Sequence, residues 1–149
     1  MPGMATGTDT ALPDTTACLL GRAGAVVAGR FADRIASLGL KPRHVDLLAM
    51  LAAADAASQL DVATELRVAP SLVVRLADHL EAGGAIERTR DPQDRRRQTL
   101  QLTDHGRRVL AECATITQNL ANEVLAGLDA ADEKALRSAL RKVGANLGL

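Results

Sequence analysis

The run Asp91-Pro92-Gln93-Asp94-Arg95-Arg96-Arg97 gathers three guanidinium groups where Asp-Pro marks a turn. Each guanidinium is permanently charged and carries a planar fork of donors, suited to phosphate oxygens, carboxylates or the acceptor edge of guanine. Arg88 and Arg90 lead into the turn, and Arg107 and Arg108 follow it. Between Ile86 and Arg108 seven arginines meet four carboxylates, a local excess of three positive charges. The whole chain has 18 basic and 18 acidic residues and a formal net charge of zero. That balance argues against a general polyanion binder, so any grip on a polyanion must come from local clustering. A charge run alone is most simply a solvated turn, and its meaning depends on the elements that carry it.

Other reactive side chains are sparse. Cys18 and Cys113 lie far apart with no CxxC spacing, which fits a reducing compartment and offers no zinc motif. His44, His79 and His105 form no pair with ligand spacing and a third partner nearby, so no metal and no cofactor is expected. There is no Gly-rich phosphate loop, no HExxH and no nucleophile elbow, so the expectation is a protein that is not an enzyme.

The chain has 149 residues, room for one domain of ordinary size. It is 47% hydrophobic with no Trp, no Tyr and one Phe, so Leu, Val and Ala must pack the core, a composition that favours helices. Residues Met1 to Pro13 are rich in Gly, Thr and Pro and lack the basic start and apolar run of an export signal, which predicts a loose tail. No apolar run is long enough to span a bilayer, so a soluble, cytoplasmic protein without a membrane partner is expected.

Apolar positions Leu20, Gly24, Val27, Phe31, Ile35 and Leu38 advance by three or four and predict a first helix over Thr15–Leu38, whose Gly21, Gly24 and Gly29 would permit close helix approach. Gly39 ends it. Pro42 opens a second helix with a stripe of Val45, Leu48 and Leu51, and Ala52–Ala57 reads as a frayed end and connection. Ser58 with Asp61 three residues on is a capping-box pattern for a third helix, with Leu60, Ala63 and Leu66 turned inward. After the corner Arg67–Ala69, Pro70 or Ser71 starts a fourth helix whose Val73, Leu76 and Leu80 face the core and which Gly83-Gly84 stops. Two such short helices joined by so short a corner must cross, as in a helix-turn-helix. Segments 86–90 and 98–102 alternate like strands on either side of the arginine turn and predict a hairpin. Thr103 caps a long helix with the stripe Leu110, Cys113, Ile116, Leu120 and Val124. Asp129, with Asp132 three on, caps a last one carrying Leu136, Leu140, Val143 and Leu147.

The fold class that follows is mainly α with a small β-hairpin wing, a winged helix-turn-helix, dimeric through its N- and C-terminal helices. The terminal stripes have too few partners within one chain and would gain by pairing with a second copy. Four segments are expected: a flexible tail at 1–13, N-terminal helices for dimerisation and the start of the reader at 14–56, a winged helix-turn-helix DNA-binding domain at 57–103, and C-terminal dimerisation helices at 104–149.

From about Thr15 to Leu147 the chain resembles the multiple-antibiotic-resistance regulator (MarR) family of bacterial transcription factors. The resemblance is carried by Leu66-Arg67-Val68-Ala69-Pro70-Ser71-Leu72-Val73-Val74-Arg75-Leu76, by Leu80 to Arg88, and above all by Asp91 to Arg96 followed by Leu100-Gln101-Leu102-Thr103-Asp104-His105-Gly106-Arg107. It implies a dimer whose recognition helices enter successive major grooves of double-stranded DNA, ~34 Å apart, while the wings reach flanking minor grooves. Ser71, Val74 and Arg75 match positions of the recognition helix that face DNA. Arg96 matches the wing-tip arginine of the minor groove, and Asp94 the carboxylate that orients it. His79, Arg88, Arg90, Arg95 and Arg97 complete the expected DNA-binding set. Family members often carry Thr where Leu72 and Val74 stand and Arg where His79 stands, so this reader has fewer hydrogen-bonding groups. Arg75 has a plainer reading beside the DNA one, a surface pair with Asp78 or His79.

The resemblance also implies a repressor of a pseudo-palindromic operator that answers to a small effector held near the first two helices, where Arg22, Arg43 and His44 could meet an anionic or phenolic ligand. An alternative is a thiol-based oxidant sensor, since a peroxide-sensing branch of the family has its reactive cysteine near the place of Cys18 and in some members a second near Cys113. That branch holds its thiol with tyrosines, which this chain lacks, and Cys113 on an apolar stripe is equally a small core residue. A further alternative is a dimeric interaction module without DNA binding.

Overall fold

The computed structural model describes residues 14–149; the tail expected at 1–13 lies outside the described residues. Helix α1 (Thr16–Ile35) is followed by a 3₁₀ turn (Ala36–Leu38), then α2 (Pro42–Ala54), strand β1 (Ala56–Ser58), α3 (Gln59–Glu65), α4 (Pro70–Ala82), β2 (Ile86–Arg90), β3 (Gln98–Leu102), α5 (Asp104–Val124) and α6 (Ala130–Asn146). Local chemistry sets most of these boundaries. Hydroxyl or carboxylate side chains of Thr15, Ser58, Thr103 and Asp129 each accept the amide N–H three residues on, satisfying a donor that the first helical turn leaves orphaned. At Ser58 the exchange is reciprocal, because Asp61 Oδ2 accepts the Ser58 N–H at 3.2 Å. These hydrogen bonds from Ser58, first the hydroxyl and then the backbone, hold the Asp61 carboxyl below its ordinary value, with a weaker pull from Arg97.

Two sequence expectations need correction. The segment Ala52–Ala57 is not merely a connection. Its end forms β1, which pairs antiparallel with β3 through Ala57 opposite Leu100, so the hairpin becomes a three-stranded sheet of order β1-β3-β2. Leu60 does not face inward but is 63% exposed, and α3 instead buries Val62 and Ala63. Ala63 and Leu66 pack toward the core as expected, and Val62 takes the inward place that Leu60 does not fill.

The core lies where α2, α3 and α4 meet the inner face of the sheet. Leu47, Leu48 and Leu51 of α2, Val73, Leu76, Ala77 and Leu80 of α4, and Ile86, Leu100 and Leu102 of the sheet enclose one another. Each fully buried leucine contributes roughly 2 kcal/mol of transfer free energy. Along β3 the buried Leu100 and Leu102 alternate with half-exposed Thr99 and Gln101, as the pleat requires. Helix α5 joins the core through Cys113, Val109, Leu110 and Ile116 and is tied to α1 by the Arg34–Glu123 ion pair at 2.6 Å.

The terminal helices are incompletely covered. Ile35 is the only residue buried along α1, and α6 buries none. Leu19, Leu20, Val26, Val124, Leu128, Leu136 and Leu140 are all exposed. Among the described residues nothing within 4 Å meets a Cβ placed at Gly21, Gly24 or Gly29, so the close approach those glycines permit is not made there within one chain. Among the described residues no helix is long and apolar enough to cross a membrane.

Candidate nucleic-acid interface

The wing tip is organised by its two aspartates. Asp91 Oδ1 accepts the Gln93 N–H at 2.8 Å and Asp94 Oδ1 accepts the Arg96 N–H at 3.0 Å, two Asx turns in succession. The Asp91 N–H donates to the Arg97 carbonyl and the Arg97 N–H to the Asp94 carbonyl, closing the loop at its root. Asp94 therefore orients the backbone of Arg96 and not its guanidinium. Arg95, Arg96 and Arg97 are exposed, and among the described residues none of their guanidinium groups makes an ion pair or hydrogen bond. The tip is a hydrogen-bonded turn carrying three uncommitted cations.

Helix α4 presents Ser71, Val74, Arg75 and Asp78 on one exposed face, positions three and four apart. Pro70 preorganises its first turn and lacks an N–H, and the Leu72 and Val73 N–H groups donate to the Ala69 carbonyl. Arg75 forms no pair with Asp78 or His79; Asp78 is taken by Arg88 at 2.6 Å.

Arg88 and His79, expected at DNA, both make contacts within the fold, Arg88 largely buried and His79 from an exposed position on α4. The Arg88 side chain is only 15% exposed; it reaches from β2 across α4, donating to Asp78, to Glu81 and to the Val74 carbonyl at 3.3 Å. Burial opposes its charge, but the hydrogen bonds to Asp78 and Glu81 outweigh that and hold the guanidinium more firmly protonated than usual. Arg88 is thus a strap between α4 and the root of the wing. Arg88→Met is expected to lower stability by about 1–2 kcal/mol, moderated because both carboxylates are solvated, and chemical denaturation checks this. His79 donates Nε2–H to the Gly39 carbonyl at 2.8 Å and stacks on His44. Arg90 is exposed on β2.

The expected effector trio is only partly brought together. Arg43 and His44 line an open cleft of about 700 Å³ between the start of α2 and α4, along with Lys41, Pro42, Leu72, Arg75 and Leu76. Arg22 is not among its lining residues and lies 3.9 Å from Asp14 on exposed α1. Sequence reasoning missed Lys41 and the cleft's junction with Arg75, which arise from a tertiary contact between helices far apart in the chain.

The cysteines are both free. Cys113 is 1% exposed, and burial, reinforced by Glu112, pushes its thiol up, away from the reactive thiolate. Cys18 is half-buried in the first turn of α1, where its own N–H is bound by Thr15. Among the described residues no group of three or more His, Cys, Asp or Glu could hold a metal ion.

Comparison with known proteins agrees with this geometry. Residues 38–97 match the model of the MarR family. The HTH-type transcriptional regulator YdgJ of Bacillus subtilis is 29% identical over 112 residues, 75% of this chain and 68% of that protein. CouR of Rhodococcus jostii, solved bound to p-coumaroyl-CoA, superposes with a TM-score of 0.71 at 29% identity, covering 90% of this chain and 94% of CouR. A mutant MarR from E. coli, solved in complex with operator DNA, gives a TM-score of 0.70 at 22% identity, covering 85% of this chain and 91% of that one. With its helix-turn-helix, three-stranded sheet and arginine-tipped wing, the chain is similar to the MarR family of winged helix-turn-helix transcriptional regulators, whose model its residues 38–97 match.

Proposed function

We propose that this regulator acts as a homodimer on a pseudo-palindromic operator in double-stranded DNA and represses what lies beside it until a small anionic effector binds. The observation that carries the reading is the wing: two Asx turns and a strap to α4 hold Arg95, Arg96 and Arg97 in solvent with their charges unspent. A narrow minor groove concentrates negative potential and attracts such an inserted arginine. Ser71, Val74 and Arg75 then lie on the helix face for the major groove, where Arg75 can bridge a guanine edge and Val74 can contact a thymine methyl. Phosphate contacts from the wing supply affinity, and α4 supplies sequence preference.

The dimer is supported by the bare stripes of α1 and α6. A 17-residue helix with no buried residue is marginal in water unless another surface covers it. Replacing Leu136 and Leu140 together by Ser is expected to shift the sedimentation of the protein from dimer to monomer and to abolish operator binding, while the isolated fold keeps its helical circular dichroism. An anionic effector fits the cleft lined by Lys41, Arg43 and Arg75, with Pro42, Leu72 and Leu76 as its apolar wall. Holding Arg75 there removes it from the DNA face, so the effector and the operator favour different states. A mobility-shift titration against the DNA flanking its own gene tests the proposal. A discrete shifted band that resists nonspecific competitor is expected, and no preference over competitor DNA would refute it.

A further inference from the structure

We propose that His44 and His79 form a proton-sensitive latch that positions the recognition helix against the start of α2. The rings stack face to face with centroids 4.3 Å apart and planes inclined by 8°. Each is fixed on its other side by the backbone of the linker that precedes α2. His44 Nδ1 accepts the Lys41 N–H at 2.9 Å, completing the cap of α2, and His79 Nε2–H donates to the Gly39 carbonyl at 2.8 Å. Gly39 has φ +70°, a conformation that suits glycine, so this carbonyl is placed by a turn few other residues would adopt. The two bonds determine which atoms carry protons when the pair is neutral: Nε2 of His44 and Nε2 of His79.

A second proton on His44 can go only to Nδ1, where it abolishes the acceptor for Lys41. The resulting imidazolium would be buried, at the positive end of the α2 dipole, and stacked on His79. The charged residues that line the cleft beside the pair are all cationic: Lys41 and Arg43 from the start of α2, and Arg75 from α4. Helix α5, which also packs on α2, contributes no lining residue. The carboxylates of the two helices are committed elsewhere, Asp46 to Arg43 and Asp78 and Glu81 to Arg88. Burial first, then His79 and Lys41, accordingly lower the readiness of His44 to protonate.

The direction of the pH effect follows. Because the folded His44 resists a proton that the free imidazole accepts near pH ~6.5, the latch contributes fully above that pH and weakens as pH falls below it. An open state with ordinary affinity for the proton gains over the closed one as pH falls, by at most about tenfold between pH 7.5 and 5.5. The inference rests on reading α4 as the recognition helix, but the latch is measurable on the free protein.

The test uses the full-length protein without DNA. Denaturant unfolding and the imidazole and amide NMR signals are followed from pH 8 to 5.5 in wild type, His44→Asn and His79→Gln. Asn can keep the cap, as Asp61 does for Ser58, and Gln can keep the bond to Gly39, while neither titrates. Wild type is expected to lose more in its unfolding equilibrium than His44→Asn across this range, up to about tenfold, and the amides of α4 should shift with the His44 ring signal. In His79→Gln the His44 midpoint should rise toward the ordinary imidazole value. Equal pH dependence in wild type and His44→Asn, or titration of His44 with α4 unmoved, overturns the latch. Absence of operator binding with these signals intact would count against the DNA reading alone.

Discussion

Replacing Arg95, Arg96 and Arg97 together by alanine is expected to weaken operator binding on the order of 1000-fold at ~0.1 M salt while leaving the fold intact. The proposed dimer presents two wings, so each substitution would act twice. Where an arginine neutralises a phosphate, the slope of log affinity against log salt falls by about 0.9 per contact, and the triple variant should lose roughly 2–5 in slope. Arg96→Ala alone would remove the proposed minor-groove contact and should cost about 100-fold, broadly across operator variants. Arg75→Ala should behave differently, relaxing discrimination at one position of each half-site by about 1–3 kcal/mol. Because no wing guanidinium has an intramolecular partner among the described residues, stability should change by no more than about 0.5 kcal/mol. Fluorescence anisotropy over a salt series, with a thermal melt of each variant, measures both halves of the expectation. Loss of affinity without a change in salt slope would mean that these arginines contact something other than phosphates.

Gly106→Ala is expected to destabilise the protein by about 3 kcal/mol, lowering its melting temperature by roughly 10 °C. The reason is a junction that leaves no room for a side chain. A Cβ at Gly106 would lie 1.9 Å from the Ala85 carbonyl oxygen and 3.1 Å from a methyl of Leu102. The obstructing atom is backbone and is itself held, because the Ala85 carbonyl accepts the Thr103 N–H at 3.1 Å. Thr103 Oγ1 donates to the Gly84 carbonyl at 2.6 Å and accepts the Gly106 N–H at 3.0 Å. This knot fastens the end of α4, the start of β2 and the cap of α5, so relief of the clash must move the helix-turn-helix against α5. Calorimetry checks the prediction, and a melting temperature within about 2 °C of wild type would show that the junction yields more easily than its hydrogen bonds indicate.

What the sequence disclosed and what it withheld divide along the range of the interactions. The caps at Ser58, Thr103 and Asp129, the stop at Gly83-Gly84 and the hairpin were legible because each depends on residues within a few positions of one another. β1 was not, since Ala56-Ala57-Ser58 has no β-branched or aromatic residue and is a strand only because the edge of β3 lies beside it. Arg88 and His79 read as DNA contacts because a basic residue near a wing looks the same whether its partner is a phosphate or a folded carboxylate. The partners that occupy them, Asp78, Glu81 and Gly39, arrive only through tertiary packing. Gly106 carried a weak signal, a glycine in the first turn of a well-capped helix where propensity disfavours it. The exposed wing arginines themselves remain where the sequence placed them, on a turn whose Asp-Pro and Asp-Arg pairs dictate its geometry.

The arrangement of two arginine-tipped wings and two short helices on one two-fold scaffold is tested most directly by hydroxyl-radical footprinting of the protein on the DNA flanking its own gene. Two symmetric protected tracts, with half-site centres ~10 bp apart and outer minor-groove protection that vanishes in Arg96→Ala, are expected. A single asymmetric tract, or outer protection that persists in Arg96→Ala, would contradict the account.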